Sequence, residues 1–116
     1  MAVTFEDVRK IALSLQNVTE GTSYGTPAFK AGGKLLARLR EDRDSLVVAT
    51  TFEEREDMMT AAPETYYITD HYLKYPWVLV RLSRVHPDAL RDLLKRAWRL
   101  TSMTKRRVSG RRSTAL

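Results

Sequence analysis

The sequence contains no cysteine, which excludes disulfide bonds and thiolate metal sites and is typical of a reducing compartment. No uninterrupted apolar run approaches the roughly 20 residues that cross a bilayer. The first residues do not combine a basic segment with an apolar one, so no signal peptide is predicted. We therefore expect a cytoplasmic protein without a membrane partner.

Motifs for catalysis and metal binding are also scarce. His71 and His86 are the two histidines, and a metal site at either would need several carboxylates around it. Serine, histidine and aspartate all occur, but we expect no nucleophile triad and no Gly-x-Ser-x-Gly elbow. Residues 31–34 (AGGK) lack the leading glycine and the Ser or Thr of a phosphate loop, and they predict a hairpin turn. We expect no enzymatic activity, no catalytic residues, no metal and no cofactor.

Acidic residues gather in two clusters that are interleaved with Arg43 and Arg55. A paired acid–base site would place such carboxylates in an apolar cleft that separates their pKa values. Alternating signs of charge are instead typical of solvated turns and helix faces. The clusters are Glu41, Asp42 and Asp44, and Glu53, Glu54, Glu56 and Asp57.

Positive charge is concentrated at one end of the 116-residue chain, whose formal net charge is +6. Residues 1–92 carry a net charge of −2, whereas residues 93–116 carry +8 and no acidic residue. Such asymmetry indicates an anionic partner. Cations in a tail can neutralise phosphates without reading base sequence, and here they are Lys105, Arg106, Arg107, Arg111 and Arg112.

The order of elements predicts an α+β domain with an antiparallel sheet of about five strands between an N-terminal and a C-terminal helix. Helix signals cover residues 5–16, which Thr4 can cap, and residues 52–61 and 87–101. Strands are predicted at residues 27–31, 34–40, 45–50, 65–69 and 76–82. Residues 17–27 are predicted to form a loop. We expect one domain over residues 1–103 and a disordered basic tail over residues 104–116.

The sequence does not decide which face of the first hairpin is buried. The alternation of residues 34–40 favours Leu35, Ala37 and Leu39 on the inner side. A regular two-residue turn at Gly32-Gly33 would, however, place Phe29 on the opposite, basic side. A longer turn or a β-bulge would reverse this parity.

Residues 71–82 mix aromatic and cationic side chains. If the apolar residues of strand 76–82 point inward, Trp77 and Arg81 share the opposite face. That face could offer stacking and phosphate contacts, through Lys34, Arg38, Arg40, Lys74, Trp77 and Arg81. In the alternative interpretation Trp77 packs under a loop and the tyrosines line the edge of the core.

Residues 26–34 (TPAFKAGGK), the hairpin that follows, residues 70–82 (DHYLKYPWVLVRL) and residues 94–100 (LKRAWRL) resemble the MmcQ/YjbR family of small bacterial proteins. The resemblance covers about residues 5–101. It implies an α+β, CyaY-like fold with a double-wing arrangement, for which members are commonly labelled DNA-binding. It carries over no catalytic residues, and the basic tail lies outside it.

A frataxin-type iron role would need a dense acidic ridge on the first helix, and Glu6 and Asp7 are the only acids there. The leading hypothesis is therefore a protein that binds DNA or RNA mainly through backbone electrostatics. The alternative is a protein-interaction or small-ligand-sensing module without enzymatic activity.

Overall fold

The computed structural model describes the backbone of residues 3–115 and the side chains of residues 3–101. Six strands form one antiparallel sheet in the order β1-β2-β3-β4-β6-β5. In chain order the elements are α1 (Phe5–Leu13), β1 (Val18–Ser23), β2 (Thr26–Ala31), β3 (Lys34–Leu39), β4 (Ser45–Ala49), α2 (Phe52–Ala61), β5 (Tyr66–Tyr67), a 3-10 turn (Asp70–Tyr72), β6 (Trp77–Arg81) and α3 (Pro87–Ala115). The predicted α+β class with flanking terminal helices is confirmed.

Helix α1 begins as its sequence predicts. The Thr4 hydroxyl accepts a hydrogen bond from the Asp7 amide at 3.3 Å, and the Asp7 carboxylate accepts one from the Thr4 amide at 2.9 Å. This reciprocal pair satisfies two donors that a helix N-terminus would otherwise leave without partners. The hydrogen bonds from Thr4, backbone first, hold the pKa of Asp7 below its usual value.

Strand β1 lies where a loop was predicted over residues 17–27, and that prediction is wrong. The strand is at the edge of the sheet, and both of its faces are largely exposed. It therefore lacks the apolar alternation that marks a half-buried strand. Tyr24 and Gly25 link it to β2 with φ angles of 55° and 79°, as a tight two-residue hairpin turn requires.

A β-bulge determines which side chains of the β2–β3 hairpin face the core. Phe29 pairs with Ala37 while Lys30 pairs with Leu35, so Leu36 is an extra residue on β3. The bulge turns Leu36 and Ala37 both into the core and leaves Arg38 on the other face. Of the alternatives that the sequence left open, the structure has the bulge, and Phe29 is fully buried.

The sheet has a different apolar layer on each face. The larger core lies between the sheet and helices α1 and α3. On the opposite face Val47, Tyr72 and Leu79 form a small second cluster, with Tyr67, Ile68 and Trp77 packed against it. Residues 68–72 thus cover part of the face that the terminal helices leave free.

Helix α3 continues to Ala115, beyond the predicted end at residue 101. The Trp98 indole donates a hydrogen bond to the Gln16 carbonyl at 2.8 Å and ties α3 to the end of α1. The side chains of residues 102–116 lie outside the described residues. The division into a domain over residues 1–103 and a disordered tail over residues 104–116 stays a prediction.

The β3–β4 turn is organised by Asp42. Its carboxylate accepts hydrogen bonds from the amides of Asp44 and Ser45 and from the Ser45 hydroxyl, each at 2.9 Å. Burial by itself raises the pKa of Asp42, but these hydrogen bonds and Arg40 outweigh it, so the pKa lies below its usual value.

A carboxylate whose pKa is lowered by folding stabilises the fold above its unfolded pKa of about 3.9. That contribution is lost as the pH falls through the lower folded pKa. Replacing Asp42 by asparagine should lower the free energy of unfolding by about 1 kcal/mol at neutral pH, a value discounted for the exposed site. Urea titrations should find the stabilities of the two proteins converging as the pH falls below the unfolded pKa of about 3.9, and a pH-independent difference would contradict the assignment.

Candidate functional site

A cleft of about 600 Å³ opens on the sheet face opposite α1 and α3. Adjacent strands β3 and β4 supply Arg38 and Val47, which pair directly across the sheet. The hairpin turn that contains Tyr24 forms one rim. The 3-10 turn and the residues after it form another part of the wall. The lining residues are Tyr24, Leu35, Arg38, Arg40, Glu41, Val47, Thr69, His71, Tyr72, Tyr75 and Trp77.

Arg38 lies in the cleft with only 8% of its surface exposed. Its guanidinium donates hydrogen bonds to the Thr26 hydroxyl at 3.3 Å and to the Tyr72 hydroxyl at 3.1 Å. The Glu41 carboxylate is 3.8 Å away, and the Tyr24 ring centroid is 5.2 Å from the guanidinium carbon. Arg38 is therefore held in one orientation, and the cleft keeps its charge next to aromatic rings.

Arg55 on α2 supports the cleft wall from behind. Its guanidinium donates to the carbonyl oxygens of Tyr72, Leu73, Tyr75 and Trp77 at distances of 2.7 to 3.2 Å. The residue is 3% exposed, so the expectation that it lies on a solvated helix face is wrong. Polar backbone groups that are shielded from water in an irregular segment need hydrogen-bond partners. Here the guanidinium of Arg55 is the donor to four such carbonyl oxygens.

The sequence contained a weak signal for Arg55. It follows Phe52 and precedes Met58 by three residues each, so it occupies the same helix face as two apolar side chains. An arginine at that spacing indicates a buried cation as readily as a solvated one, and the acidic neighbours obscured the pattern.

Aromatic side chains surround the opening of the cleft. Tyr24 is 85% exposed and Tyr75 is 55% exposed. The His71 ring is edge-on to Tyr72, with ring centroids 4.8 Å apart, and its centroid is 6.4 Å from that of Tyr75. Neither Tyr24 nor Tyr75 contributes much to a core, so both rings are accessible to a ligand, apart from the face of Tyr24 that lies over Arg38.

The structure brings together three of the residues predicted to contact nucleic acid. Arg38, Arg40 and Trp77 all line the cleft. Trp77 is half-buried and packs against both apolar layers, which partly matches the alternative interpretation of a tryptophan under a loop. The strand pairing also places Trp77 and Arg81 on one face, as predicted.

The other predicted contact residues lie outside the cleft. Arg81 shares its sheet face, but its guanidinium lies over the Tyr67 ring at 4.0 Å from the centroid. Lys34 borders a smaller pocket of about 340 Å³, and Lys74 is exposed beyond both pockets. The side chains of Lys105, Arg106, Arg107, Arg111 and Arg112 lie outside the described residues. A role in nucleic-acid binding stays a prediction for every member of this set.

Residues 21–25 (GTSYG) match the Gly-x-Ser-x-Gly pattern of a hydrolase nucleophile. That motif acts in a sharp turn from a strand into a helix. Here it spans the end of β1 and the hairpin turn into β2. The match therefore provides no structural basis for a nucleophilic serine.

Within the described part of the chain, no group of three or more His, Cys, Asp or Glu side chains is placed to hold a metal ion. None of the helices, over the same residues, is both long and apolar enough to cross a membrane. The cleft contains two guanidinium groups, one carboxylate and several aromatic rings, and guanidinium groups beside ring faces can bind a planar anion.

Comparisons with known proteins agree with this fold. The family model for YjbR matches residues 13–100. No curated protein matches the chain. Among solved structures, Deinococcus radiodurans protein DR2400, which carries the domain DUF419, has a TM-score of 0.76 at 24% identity, over 87% of this chain and 80% of its own. That identity shows a shared fold alone. Since the family match covers most of the sequence, the chain belongs to the YjbR family.

Proposed function

We propose that this protein binds nucleic acid, mainly through contacts to the phosphate backbone, and that it catalyses no reaction. The observation that carries the proposal is the placement of Arg38 and Arg40 beside Tyr24, Tyr75 and Trp77 in one cleft. Guanidinium groups bind phosphate oxygens in a fixed fork geometry. Aromatic faces stack on bases of any sequence. A cytoplasmic location is part of the same proposal.

Charge outside the cleft supports a general electrostatic contribution. Lys34 and Lys74 are exposed, and residues 93–116 carry eight Lys or Arg residues without an acid. Cations that displace the counterions of a polynucleotide add affinity without adding specificity. We expect affinity for DNA and RNA that falls steeply with salt.

The volume of the cleft supports a second candidate function, the sensing of a small anionic ligand. About 600 Å³ lies within the range of roughly 300–1,000 Å³ that small-molecule sites occupy. Binding of a mononucleotide or another aromatic anion, together with no binding of oligonucleotides, would favour this candidate over the first.

Substitution of three cations that are predicted to contact nucleic acid tests the proposal in the full-length protein. Replacing Lys34, Arg40 and Lys74 by alanine should weaken binding of a labelled oligonucleotide. If each contacts one phosphate, the slope of log affinity against log salt should become shallower by roughly 2 to 3. Fluorescence anisotropy at several salt concentrations measures both quantities.

The matched control replaces Lys10, Lys95 and Arg99, three exposed cations of the helices on the other side of the sheet. It removes the same net charge, so comparison of the two variants distinguishes a local phosphate contact from the general electrostatic attraction of a positively charged protein. Equal losses in the two triple variants would remove a local contact at Lys34, Arg40 and Lys74 from the proposal. Absence of any DNA or RNA binding at low salt would end the proposal.

A further inference from the structure

We infer that the cleft receives one unpaired base of a single strand, with an adjacent phosphate on its arginines. This inference rests on the proposed function and makes it narrower. It names the ligand of the cleft, a nucleotide with a free base face, and it separates that site from the electrostatic contribution of the rest of the chain.

Tyr24 is the first observation behind this inference. It is 85% exposed and has a φ of 55°, in the left-handed region where bulky residues are uncommon. Burial does not compensate for that conformation, because most of the ring faces solvent. The turn instead fixes the ring at the rim of the cleft, where one face is 5.2 Å from the Arg38 guanidinium carbon.

The part of the wall that contains the 3-10 turn supplies further aromatic groups for stacking. Tyr75 is exposed there, His71 lies beside it, and half-buried Trp77 continues the wall into the cleft. Arg55 holds the backbone of this wall through four carbonyl oxygens. A base that enters the cleft therefore meets rigidly placed aromatic groups, which lowers the entropy lost on binding.

The polar groups of the cleft match the remaining parts of a nucleotide. Arg38 is oriented in advance by Thr26 and Tyr72, and it uses two of the five donors that a guanidinium carries. Arg40 adds a second, half-buried cation. Glu41 lies 3.8 Å from Arg38, and its carboxylate can accept a hydrogen bond from an N–H group on the Watson–Crick edge of an unpaired base, such as N3–H of thymine.

Base pairing would prevent this mode of binding. A base within a duplex is stacked on its neighbours and exposes only its edges in the grooves. Stacking on protein aromatic groups requires a base that is splayed out of the strand. We therefore expect the cleft to distinguish strands with bases from strands without them, whereas the basic residues elsewhere respond to charge.

Tryptophan fluorescence in the full-length protein reports on the cleft directly. The chain has two tryptophans, Trp77 and Trp98, so Trp98→Phe leaves the cleft residue as the sole tryptophan, which can be excited selectively over the tyrosines. In this background a short oligothymidylate should quench emission, whereas an abasic oligonucleotide of equal length and charge should bind more weakly and leave emission nearly unchanged. Replacing Tyr24 by alanine should weaken oligothymidylate binding by about tenfold without altering abasic binding.

Two variants control for the loss of a side chain. Tyr24→Phe keeps the ring and should retain the affinity for oligothymidylate. Leu13→Ala removes an exposed apolar side chain from α1, on the other side of the sheet, and should change neither affinity. Weakening by Leu13→Ala as large as that by Tyr24→Ala would overturn the role of Tyr24.

The outcomes separate this inference from the function it rests on. Tight binding of both oligonucleotides with unchanged Trp77 emission and no effect of Tyr24→Ala would overturn the cleft inference, while nucleic-acid binding would stand. Failure of every oligonucleotide to bind in dilute buffer would end both. The inference is supported if oligothymidylate quenches Trp77 emission and if the Tyr24→Ala substitution weakens its binding.

Discussion

Replacing Arg55 by alanine is expected to lower the free energy of unfolding by about 3 kcal/mol, a large effect for one residue. The side chain is 3% exposed and donates to four backbone carbonyls between residues 72 and 77. Its removal leaves those oxygens without their donor at the inner side of the wall, where water reaches them poorly. Urea denaturation followed by circular dichroism measures the loss.

Arg55→Lys provides a graded comparison. A lysine retains the charge and three donors, but its compact ammonium cannot span four acceptors as the planar guanidinium does. We expect an intermediate loss of about 1–2 kcal/mol. The matched control is Arg84→Ala, an exposed arginine, which should stay within about 0.5 kcal/mol of the parent. An Arg55→Ala protein as stable as this control would show that the carbonyls have other partners.

The same substitution has a consequence for binding. Because Arg55 holds the wall that carries Tyr75 and Trp77, loosening of that wall should weaken oligonucleotide binding even though Arg55 faces away from the cleft opening. The lysine variant should lose less affinity than the alanine variant. We expect this order of affinities because Arg55 positions Tyr75 and Trp77 and does not itself contact the oligonucleotide.

Replacing Phe29 by alanine is expected to lower the free energy of unfolding by about 4 kcal/mol. Phe29 is fully buried and stacks on Phe5 with ring centroids 5.7 Å apart. The substitution would remove a large apolar side chain and leave a cavity between the sheet and α1. A total stability of 5–15 kcal/mol is typical for a domain, so this single change removes a large part of it. Thermal and urea denaturation measure the effect.

Phe29→Leu tests whether volume is the cause. It retains most of the apolar side chain and should cost less than half as much as the alanine variant. Leu13→Ala, at an exposed position of α1, should stay within about 0.5 kcal/mol of the parent. If Phe29→Ala proved as mild as Leu13→Ala, the hairpin parity set by the bulge at Leu36 would be wrong.

The elements that could be predicted from sequence are those whose signals are local. The Thr4–Asp7 capping box, the Gly32-Gly33 turn and the periodic faces of α1 and α3 each depend on residues a few positions apart. For the same reason, strands β2, β3, β4 and β6 were identified close to their observed bounds. Edge strand β1 was missed because pairing on one side and exposure on both faces leave no apolar alternation.

The candidate site was only partly predictable. Arg38, Arg40 and Trp77 were identified from the mixture of basic and aromatic residues, and strand alternation placed Trp77 and Arg81 on one face. Tyr24 and Arg55 were missed as site residues. Their positions depend on a hairpin turn and on helix α2 packing behind residues 72–77, contacts between segments that are distant in sequence.

By itself the sequence determined the α+β class, the family and the asymmetry of charge, because these follow from local periodicity, recurrent segments and composition. Tertiary structure alone decided that one extra residue on β3 turns Phe29 into the core and leaves Arg38 on the free face. It also decided that a buried arginine holds the wall of an aromatic cleft. Both depend on register and on packing between distant segments, where a shift by one residue exchanges the two faces of a strand.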